Sequence, residues 1–319
     1  MTAEATEKFS AKTIDFHAHA ILPSYIDALK ILKIDAAEAE GFPLPKWTAE
    51  DHLQFMEAAG IDFTILSLAT PHISDCAAVR AINEEFSALC RRFPKKFGFV
   101  ATLPLPNVEG SIEEFYFATE KLGALGVKVA SNSDGVYLGD KNLDPIFEEL
   151  NKKNSLVIIH PSPAQILPRK NVVTGKVMAL FEYPADTTRA VLNLLANDTL
   201  EKFPNLKFVV PHCGSFLPYM KQRAGAMFKM LSAMNLMEPI NFEAGIEKLF
   251  FDTAGDPMPE QFDILLKIAD LDKIIFGTDY PYVPAQVFLG KKQLFDAALI
   301  KRGLMRKIYA ENAKNLLGG

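Results

Sequence analysis

The sequence predicts an α/β protein that folds as a (β/α)8 TIM barrel. Short apolar runs alternate with helix-forming patterns along almost all of the 319 residues. There are eight such runs, and most are continuously apolar, as in parallel strands with both faces buried. A chain of this length accommodates one barrel of about 250 residues with extensions. An open doubly wound sheet is the alternative fold, but no glycine-rich turn follows the first strand.

The predicted strands are recognised by their side-chain period. Residues 13–19 alternate between polar and apolar side chains, and residues 61–69 form a longer, mainly apolar run. The full set comprises residues 13–19, 61–69, 97–103, 126–130, 156–160, 206–210, 249–252 and 273–277.

Helix signals occupy the intervals between these strands. A helix over residues 48–59 ends at Gly60, and Ser74 or Asp75 can cap a helix that stops before Pro94. Ser111 opens the next predicted helix. The later helices are predicted from Asp144-Pro145 onward and over residues 187–196, 257–269, 285–300 and 305–317.

Three longer segments interrupt the repeat, at residues 23–45, 162–183 and 214–244. They follow strands 1, 5 and 6, so in a barrel they are mouth-covering insertions at its C-terminal end. A lid or a subunit contact is the expected role, and loop without a role is the alternative. The third segment is rich in methionine, which predicts a homodimer interface.

Composition and charge exclude several classes of protein. Hydrophobic residues are 49% and charged residues 23% of the chain, which is ordinary for a globular protein. The net charge is −5 without a basic run, so we expect no nucleic-acid partner. We also expect no membrane span, because no apolar run reaches about 18 residues. Only three cysteines and no secretory signal predict a cytoplasmic protein. Residues 1–319 are expected to form one domain, with a polar extension over residues 1–12.

The positions of the histidines predict a metal site. Four of the six histidines stand at the end of a predicted strand or just past it: His17, His19, His160 and His212. Asp279 follows the eighth strand. In a barrel, the C-terminal ends of all strands surround one mouth, so these five candidate ligands or bases become neighbours. Imidazole and carboxylate groups suit a divalent cation such as Zn²⁺ and leave a position for water.

His17 and His19 are two residues apart on one strand. Period two places both side chains on the inner face, with Phe16 and Ala18 pointing outward to the helices. His72 lies after the second strand, where substrate contact and simple loop solvation are both open.

Lys128 lies on the fourth strand, where a carbamylated lysine could bridge two ions. We expect instead a lysine that points outward between helices with its ammonium group in water, and hence one metal ion.

Several motifs resemble a known family. The sequence contains LPLPN at 103–107, GALGVKVASN at 123–132, PADTTRAV at 184–191, EKFPNLKFVVPHCGSFLPYMKQR at 201–223, GTDYPY at 277–282 and IYAENAKNLL at 308–317. Together with the histidines they resemble the amidohydrolase superfamily. Within it they are most similar to the branch of aminocarboxymuconate-semialdehyde decarboxylase and related aromatic-acid decarboxylases of the resorcylate and methylsalicylate type.

The resemblance implies specific roles. His17, His19, His160 and Asp279 would bind one Zn²⁺ or, alternatively, Mn²⁺. His212 would be the acid/base that orients or deprotonates the metal-bound water. Arg223 would reach the substrate carboxylate of a neighbouring subunit, which implies a homodimer.

Two positions depart from the family pattern. Its HGGG turn reads His212-Cys-Gly-Ser215 here, so two glycines are lost. A substrate-binding arginine of the aminocarboxymuconate enzyme corresponds, counted from Trp47, to His52. Since imidazole is a poorer carboxylate partner than guanidinium, we expect a different substrate, with His52 still a candidate contact.

The expected function is decarboxylation of a small aromatic or unsaturated carboxylic acid. His212 and Asp279 are the candidate proton-transfer groups. The alternative is a hydrolase that attacks a lactone, amide or ester with a metal-bound hydroxide, because the same ligands serve both reactions. A non-enzymatic metal-binding scaffold is the third hypothesis, and it requires a coordinatively closed site.

Overall fold

The computed structural model describes residues 12–165 and 177–318. Most of the predicted N-terminal extension and residues 166–176 of the second insertion lie outside the described residues. The expectation of a single domain over residues 1–319 stays a prediction. No helix in the described ranges combines the length and the apolar character that crossing a membrane requires.

The strands alternate with helices as predicted. In chain order they are β1 (Ile14–Ala20), β2 (Phe63–Leu68), β3 (Phe97–Phe99), β4 (Ala101–Thr102), β5 (Val127–Ala130), β6 (Asn132–Ser133), β7 (Val136–Tyr137), β8 (Leu156–His160), β9 (Lys207–Val210), β10 (Phe250–Asp252) and β11 (Ile274–Ile275).

The parallel strands close into a barrel. Their hydrogen-bonded orders are β1-β2-β3 and β11-β10-β9-β8-β5-β4. One seam joins β1 to the end of β11, where Phe16 N donates to Phe276 O at 2.8 Å. The other seam runs through Val100 between β3 and β4, because Val100 N donates to Leu66 O and Ala101 N to Gly126 O, each at 3.0 Å. The predicted (β/α)8 barrel is therefore confirmed, with the third predicted strand divided between its two neighbours.

The helices surround this barrel. They are α1 (Pro23–Ile31), α2 (Ala36–Glu40), α3 (Ala49–Ala59), α4 (Cys76–Arg92), α5 (Val108–Phe117), α6 (Asp144–Lys152), α7 (Glu182–Ala196), α8 (Thr199–Lys202), α9 (Leu217–Ala233), α10 (Phe242–Lys248), α11 (Gln261–Leu265), α12 (Ala285–Arg302) and α13 (Asn312–Leu316).

Local capping chemistry determines where several helices begin. Asp75 accepts a hydrogen bond from Ala78 N at 2.8 Å and begins α4 as predicted. The predicted start of α5 at Ser111 is wrong, because Asn107 accepts a hydrogen bond from Gly110 N at 3.0 Å and caps a helix that begins at Val108, three residues earlier. The helix predicted over residues 257–269 contains only the short α11. The antiparallel hairpin β6-β7 was not predicted.

Two apolar clusters lie on the two faces of the strands. Val127, Val129 and Val157 pack in the outer cluster beneath the helices. The inner cluster fills the barrel and contains Ile14, Phe16, Ile65, Val100, Ile158, Val209 and Ile275, with Leu316 of α13. Phe16 was predicted to point outward, and that is wrong. The register of β1 against β2 shifts between Asp15 and Ala18, so a bulge places Phe16 in the inner cluster ahead of the histidines.

Candidate metal centre and active site

The side chains of His17 and His19 meet inside the barrel mouth, as predicted. Their Nε2 atoms are 3.2 Å apart, and the residues are 2% and 0% exposed. His17 Nδ1 donates to Asp252 Oδ2 at 2.7 Å, and His19 Nδ1 donates to Leu68 O at 3.1 Å. Because a carboxylate and a carbonyl can only accept, both protons must sit on Nδ1. Each Nε2 therefore presents a lone pair to the same point.

His160 and Asp279 complete the centre. His160 Nδ1 donates to Pro161 O at 3.1 Å, which again leaves Nε2 as the acceptor. Asp279 Oδ1 is 3.3 Å from His19 Nε2 and 3.6 Å from His17 Nε2. The ligand atoms of His17, His19 and His160 all lie within 4.8 Å of one another. Four residues from three separate strand ends thus converge on one volume.

This donor set fits a divalent cation. Lone pairs that face each other at 3.2 Å repel unless a positive charge lies between them. Two nitrogens at about 2.1 Å from an ion, and separated by that distance, subtend an angle of roughly 100°, close to a tetrahedral or octahedral site. Three imidazoles and one carboxylate leave coordination positions for substrate or water. The donor set therefore supports the predicted divalent metal site.

The pKa shifts favour the metal-binding forms of His19, His160 and Asp279, whereas His17 is shifted toward its protonated form, so an ion would have to displace a proton there. Burial lowers the pKa of His19 to about 4 and lowers that of His160 well below its ordinary value. Burial raises the pKa of Asp279, but the surrounding histidines, His212 and His17 among them, outweigh it and lower the pKa overall. Burial opposes charge on His17, yet the Asp252 carboxylate outweighs this effect and raises the pKa of His17. Neutral imidazoles and an ionised carboxylate are the forms that bind metals.

His212 stands beside the same centre, just after β9. Its Nε2 is 3.8 Å from Asp279 Oδ2, and 22% of its side chain is exposed toward the cavity. Its backbone N donates to Asp252 Oδ1 at 2.9 Å. His212, His17 and Asp279 also place their ligand atoms within 4.8 Å, so the geometry allows His212 either to bind an ion or to transfer protons next to it.

The turn that carries His212 is conformationally demanding. His212, Cys213 and Ser215 have φ values of 56°, 53° and 56°, a region that glycine enters without cost. Cys213 and Ser215, which replace two glycines of the family pattern, therefore hold positive φ values as non-glycine residues. Such strain accumulates at functional sites, where the surrounding structure holds it in place.

Asp252 was missed by sequence reasoning. It ends β10, is fully buried, and binds both His17 Nδ1 and the backbone N of His212. Its position at the C-terminal end of a barrel strand was the available signal. Asp15, also buried, accepts from the Thr278 hydroxyl at 2.7 Å and thereby fixes the loop that carries Asp279.

A cavity of about 490 Å³ opens next to the centre. His160, His212 and Asp279 line its inner end. The ring of Tyr282 packs edge-on against His19, with centroids 5.2 Å apart. The remaining wall includes Glu40 and Phe42 from the first insertion and Ala179 and Tyr183 from the second. The first two insertions therefore reach the mouth, whereas no residue of 214–244 lines the described cavity.

Lys128 was predicted to point outward into water, and that is wrong. It is 3% exposed, and its Nζ donates to Leu68 O at 2.5 Å. Its neighbours Val127 and Val129 occupy the outer face of β5, so alternation directs Lys128 into the barrel. Burial lowers the pKa of Lys128 to about 7, opposed by the nearby charges of Glu40 and Asp279.

The three predicted substrate contacts lie outside the described cavity. His52 is fully buried, accepts from Trp47 Nε1 at 3.0 Å and packs against Phe55 and Tyr280. His72 is half-buried, with burial lowering its pKa to about 4. Arg223 is exposed on α9. None of the three is among the residues that line the described cavity, and their roles as substrate contacts stay predictions.

The chain matches the amidohydrolase family over residues 14–319, and it belongs to that family. The decarboxylase yanB of Aspergillus niger is 29% identical over 289 residues, which are 85% of this chain and 77% of that protein. The 6-methylsalicylic acid decarboxylase of Penicillium expansum is 26% identical over 305 residues, 92% of this chain and 93% of that protein. The crystal structure of an amidohydrolase II superposes with a TM-score of 0.86 at 31% identity, covering 96% of this chain and 100% of that one.

These similarities confirm the predicted superfamily and the resemblance to its decarboxylase branch. They also confirm an amidohydrolase-family enzyme, which removes the hypothesis of a non-enzymatic scaffold. Both named relatives are carboxy-lyases rather than hydrolases.

Proposed function

We propose that this enzyme is a metal-dependent decarboxylase of a small aromatic or unsaturated carboxylic acid. The observation that carries the proposal is the meeting of three Nε2 lone pairs and the Asp279 carboxylate at the inner end of a cavity of about 490 Å³. The carboxy-lyase relatives favour this reaction over hydrolysis.

His17, His19, His160 and Asp279 would hold one divalent ion. Zn²⁺ is proposed because neutral imidazoles suit it, with Mn²⁺ as the alternative. When bound, the ion supplies positive charge that holds the substrate carboxylate and a neighbouring oxygen.

His212 is proposed as the proton donor. It faces the cavity within 3.8 Å of Asp279, so its imidazolium can protonate the ring carbon that bears the carboxylate. The bond from that carbon to the carboxylate then breaks, its electron pair returns to the ring, and CO₂ leaves. Asp252 holds the backbone of His212 and the imidazole of His17, which fixes the geometry of both groups.

A homodimer is proposed to complete the substrate site. Tyr219, Arg223, Met227, Met230 and Met234 follow one another on α9 and the turn after it at helical spacing of four or three residues, so they share one face. Tyr219 is 85% and Met230 46% exposed in the single chain. An apolar stripe with a central arginine suits a subunit interface across which Arg223 reaches a carboxylate. The enzyme is proposed to act in the cytoplasm.

The test is CO₂ release from a panel of small aromatic acids and lactones by protein loaded with Zn²⁺ or Mn²⁺. We expect CO₂ from at least one acid, none from metal-stripped protein, and about one ion per chain by elemental analysis. Lactone opening without CO₂ release would overturn the proposal. A content near two ions per chain would restore Lys128 as a carbamylated bridge.

A further inference from the structure

Glu40 is a buried carboxylate that the proposed reaction does not use. It ends α2 in the first insertion and is only 1% exposed. The Tyr183 hydroxyl, from the second insertion, donates a hydrogen bond to Glu40 Oε2. This contact joins the two insertions across the barrel mouth, although the residues are 143 positions apart in the chain.

The second oxygen of Glu40 has no partner. Within the described ranges, no group forms a hydrogen bond with Oε1 by its geometry, although the atom is buried and the Thr70 hydroxyl lies near enough to stabilise the charge of the carboxyl group. An unsatisfied buried carboxylate oxygen is costly, so such an atom at a cavity wall indicates a partner that arrives with a ligand. Glu40 and Tyr183 both line the cavity that contains the metal centre.

The neighbouring groups form a polar wall on this side of the cavity. Tyr282 hydroxyl donates to Thr70 O at 3.1 Å and accepts from Thr70 N at 3.0 Å, so its hydrogen-bonding capacity is largely used. Glu40 Oε1 is therefore the open acceptor of this wall. Lys128 is close enough for its charge to act on Glu40, but its Nζ hydrogen bond goes to Leu68 O.

Charge determines which end of a substrate can face Glu40. A carboxylate placed beside this carboxyl group would be repelled in a buried, low-dielectric site. The reacting carboxylate belongs at the cationic centre, so the group that meets Glu40 must be a hydrogen-bond donor without negative charge. On an aromatic acid, a ring hydroxyl fits this description.

We propose that Glu40 and Tyr183 form a specificity subsite that binds a ring hydroxyl of the substrate, away from the reacting carboxylate. The proposal rests on the proposed function, which supplies the orientation of the acid. It assigns a dihydroxylated aromatic acid, rather than a monohydroxylated one, as the preferred substrate class.

Equilibrium binding of compounds that cannot lose CO₂ tests the subsite apart from the reaction. The probes are 2-nitrophenol, an isostere of 2-hydroxybenzoate, and the nitrophenols that carry one additional ring hydroxyl. With metal-loaded protein, we expect at least one dihydroxy probe to bind about tenfold more tightly than 2-nitrophenol, the effect of one good hydrogen bond. In Glu40→Ala this preference should fall below about twofold.

Matched variants separate recognition from folding. Glu38→Ala changes an exposed glutamate of the same short helix and should keep the wild-type preference. Glu40→Gln keeps the shape of the side chain, and its preference for the dihydroxy probe over 2-nitrophenol should be at least about threefold smaller than that of the wild type. This variant provides the test if the alanine variant does not fold. A uniform loss of affinity for all probes would show a structural role and overturn the subsite.

The outcomes for the subsite and the reaction are independent. CO₂ release from dihydroxybenzoates with an unchanged preference in Glu40→Ala overturns the subsite and leaves the decarboxylase. A Glu40-dependent preference without CO₂ release from any acid supports the subsite and overturns the decarboxylase. A wild-type protein that binds all the nitrophenols equally overturns the subsite.

Discussion

The imidazoles of His17 and His160 each commit one nitrogen to the protein and present the other to the shared centre. His17→Ala or His160→Ala should lose the metal and the decarboxylase activity together, because the remaining groups cannot complete the coordination. Elemental analysis of the purified variants measures the first loss and CO₂ release the second. His72→Asn, a histidine outside the cavity, is the control for metal content. Full metal content in either variant would show that the substituted histidine is not a metal ligand.

His212 is the residue for which binding and catalysis must be separated. His212→Ala should keep the ion while kcat falls at least about 10²-fold, the lower end of the contribution of a positioned acid/base. Metal content and rate are measured on the same preparation. Loss of the ion would make His212 a ligand and leave proton transfer to Asp279. Retention of both ion and rate would contradict its proposed role.

His52 should make the protein sensitive to acid. Burial lowers its pKa to about 3, whereas the unfolded chain titrates near the ordinary value of 6.5. Below that value the unfolded state binds a proton that the folded state excludes, so stability falls as the pH falls. Between pH 6.5 and 5 this amounts to about 2 kcal/mol. His52→Asn keeps an acceptor for Trp47 and should lose that much less free energy of unfolding over the same interval. Urea denaturation at the two pH values measures the free energy of unfolding. An equal loss between the two pH values in the wild type and in His52→Asn would contradict the prediction.

The residue types of the centre could be predicted because strand ends converge in a barrel. The prediction relied only on where these residues lie relative to the apolar runs: His17, His19, His160 and Asp279. The direction of Lys128 could not be predicted from its strand alone, because alternation sets Lys128 opposite Val127 and Val129 without indicating which face is the inner one. Its inward position depends on Leu68 O as an acceptor from another strand.

At the scale of elements, the turn after β9 is the most strained described segment of the site. Ser215 has φ 56° and ψ −125°, a conformation almost restricted to glycine. Ser215→Gly should therefore raise the free energy of unfolding by about 1 kcal/mol. Thermal unfolding should show a midpoint higher by roughly 2 °C for a chain of this size. Ser232→Gly, inside α9, is the matched control and should lower it. A lower midpoint for Ser215→Gly would mean that the serine conformation is not strained.

Strand positions were predictable and their divisions were not. The apolar run at residues 97–103 marks one barrel position, but it pairs with β2 through β3 and with β5 through β4. The bulge in β1 likewise arises from register against β2, which one strand's own pattern does not contain. The boundary of α5 differed because Asn107 is the stronger local cap.

At the scale of the whole molecule, one chain contains the metal centre and the cavity but leaves Arg223 exposed on α9. If the enzyme is a homodimer in which α9 forms the interface, each site is completed by its partner. Sedimentation should then give a dimer at micromolar concentration. Tyr219→Glu, on the same face of the helix, should shift the protein toward monomer because it places a charge in an apolar interface.

A mixture of two inactive variants tests whether Arg223 acts across that interface. His212→Ala supplies an intact Arg223, and Arg223→Ala supplies an intact His212. After subunit exchange, half of the dimers are hybrids, and one of the two sites in each hybrid contains both intact residues. Activity should therefore return to about one quarter of the wild-type value. If Arg223 acted within its own chain, no combination of the two variants would hold both residues in one site, and the mixture would stay as inactive as its components. A monomer that is fully active would contradict the shared site directly.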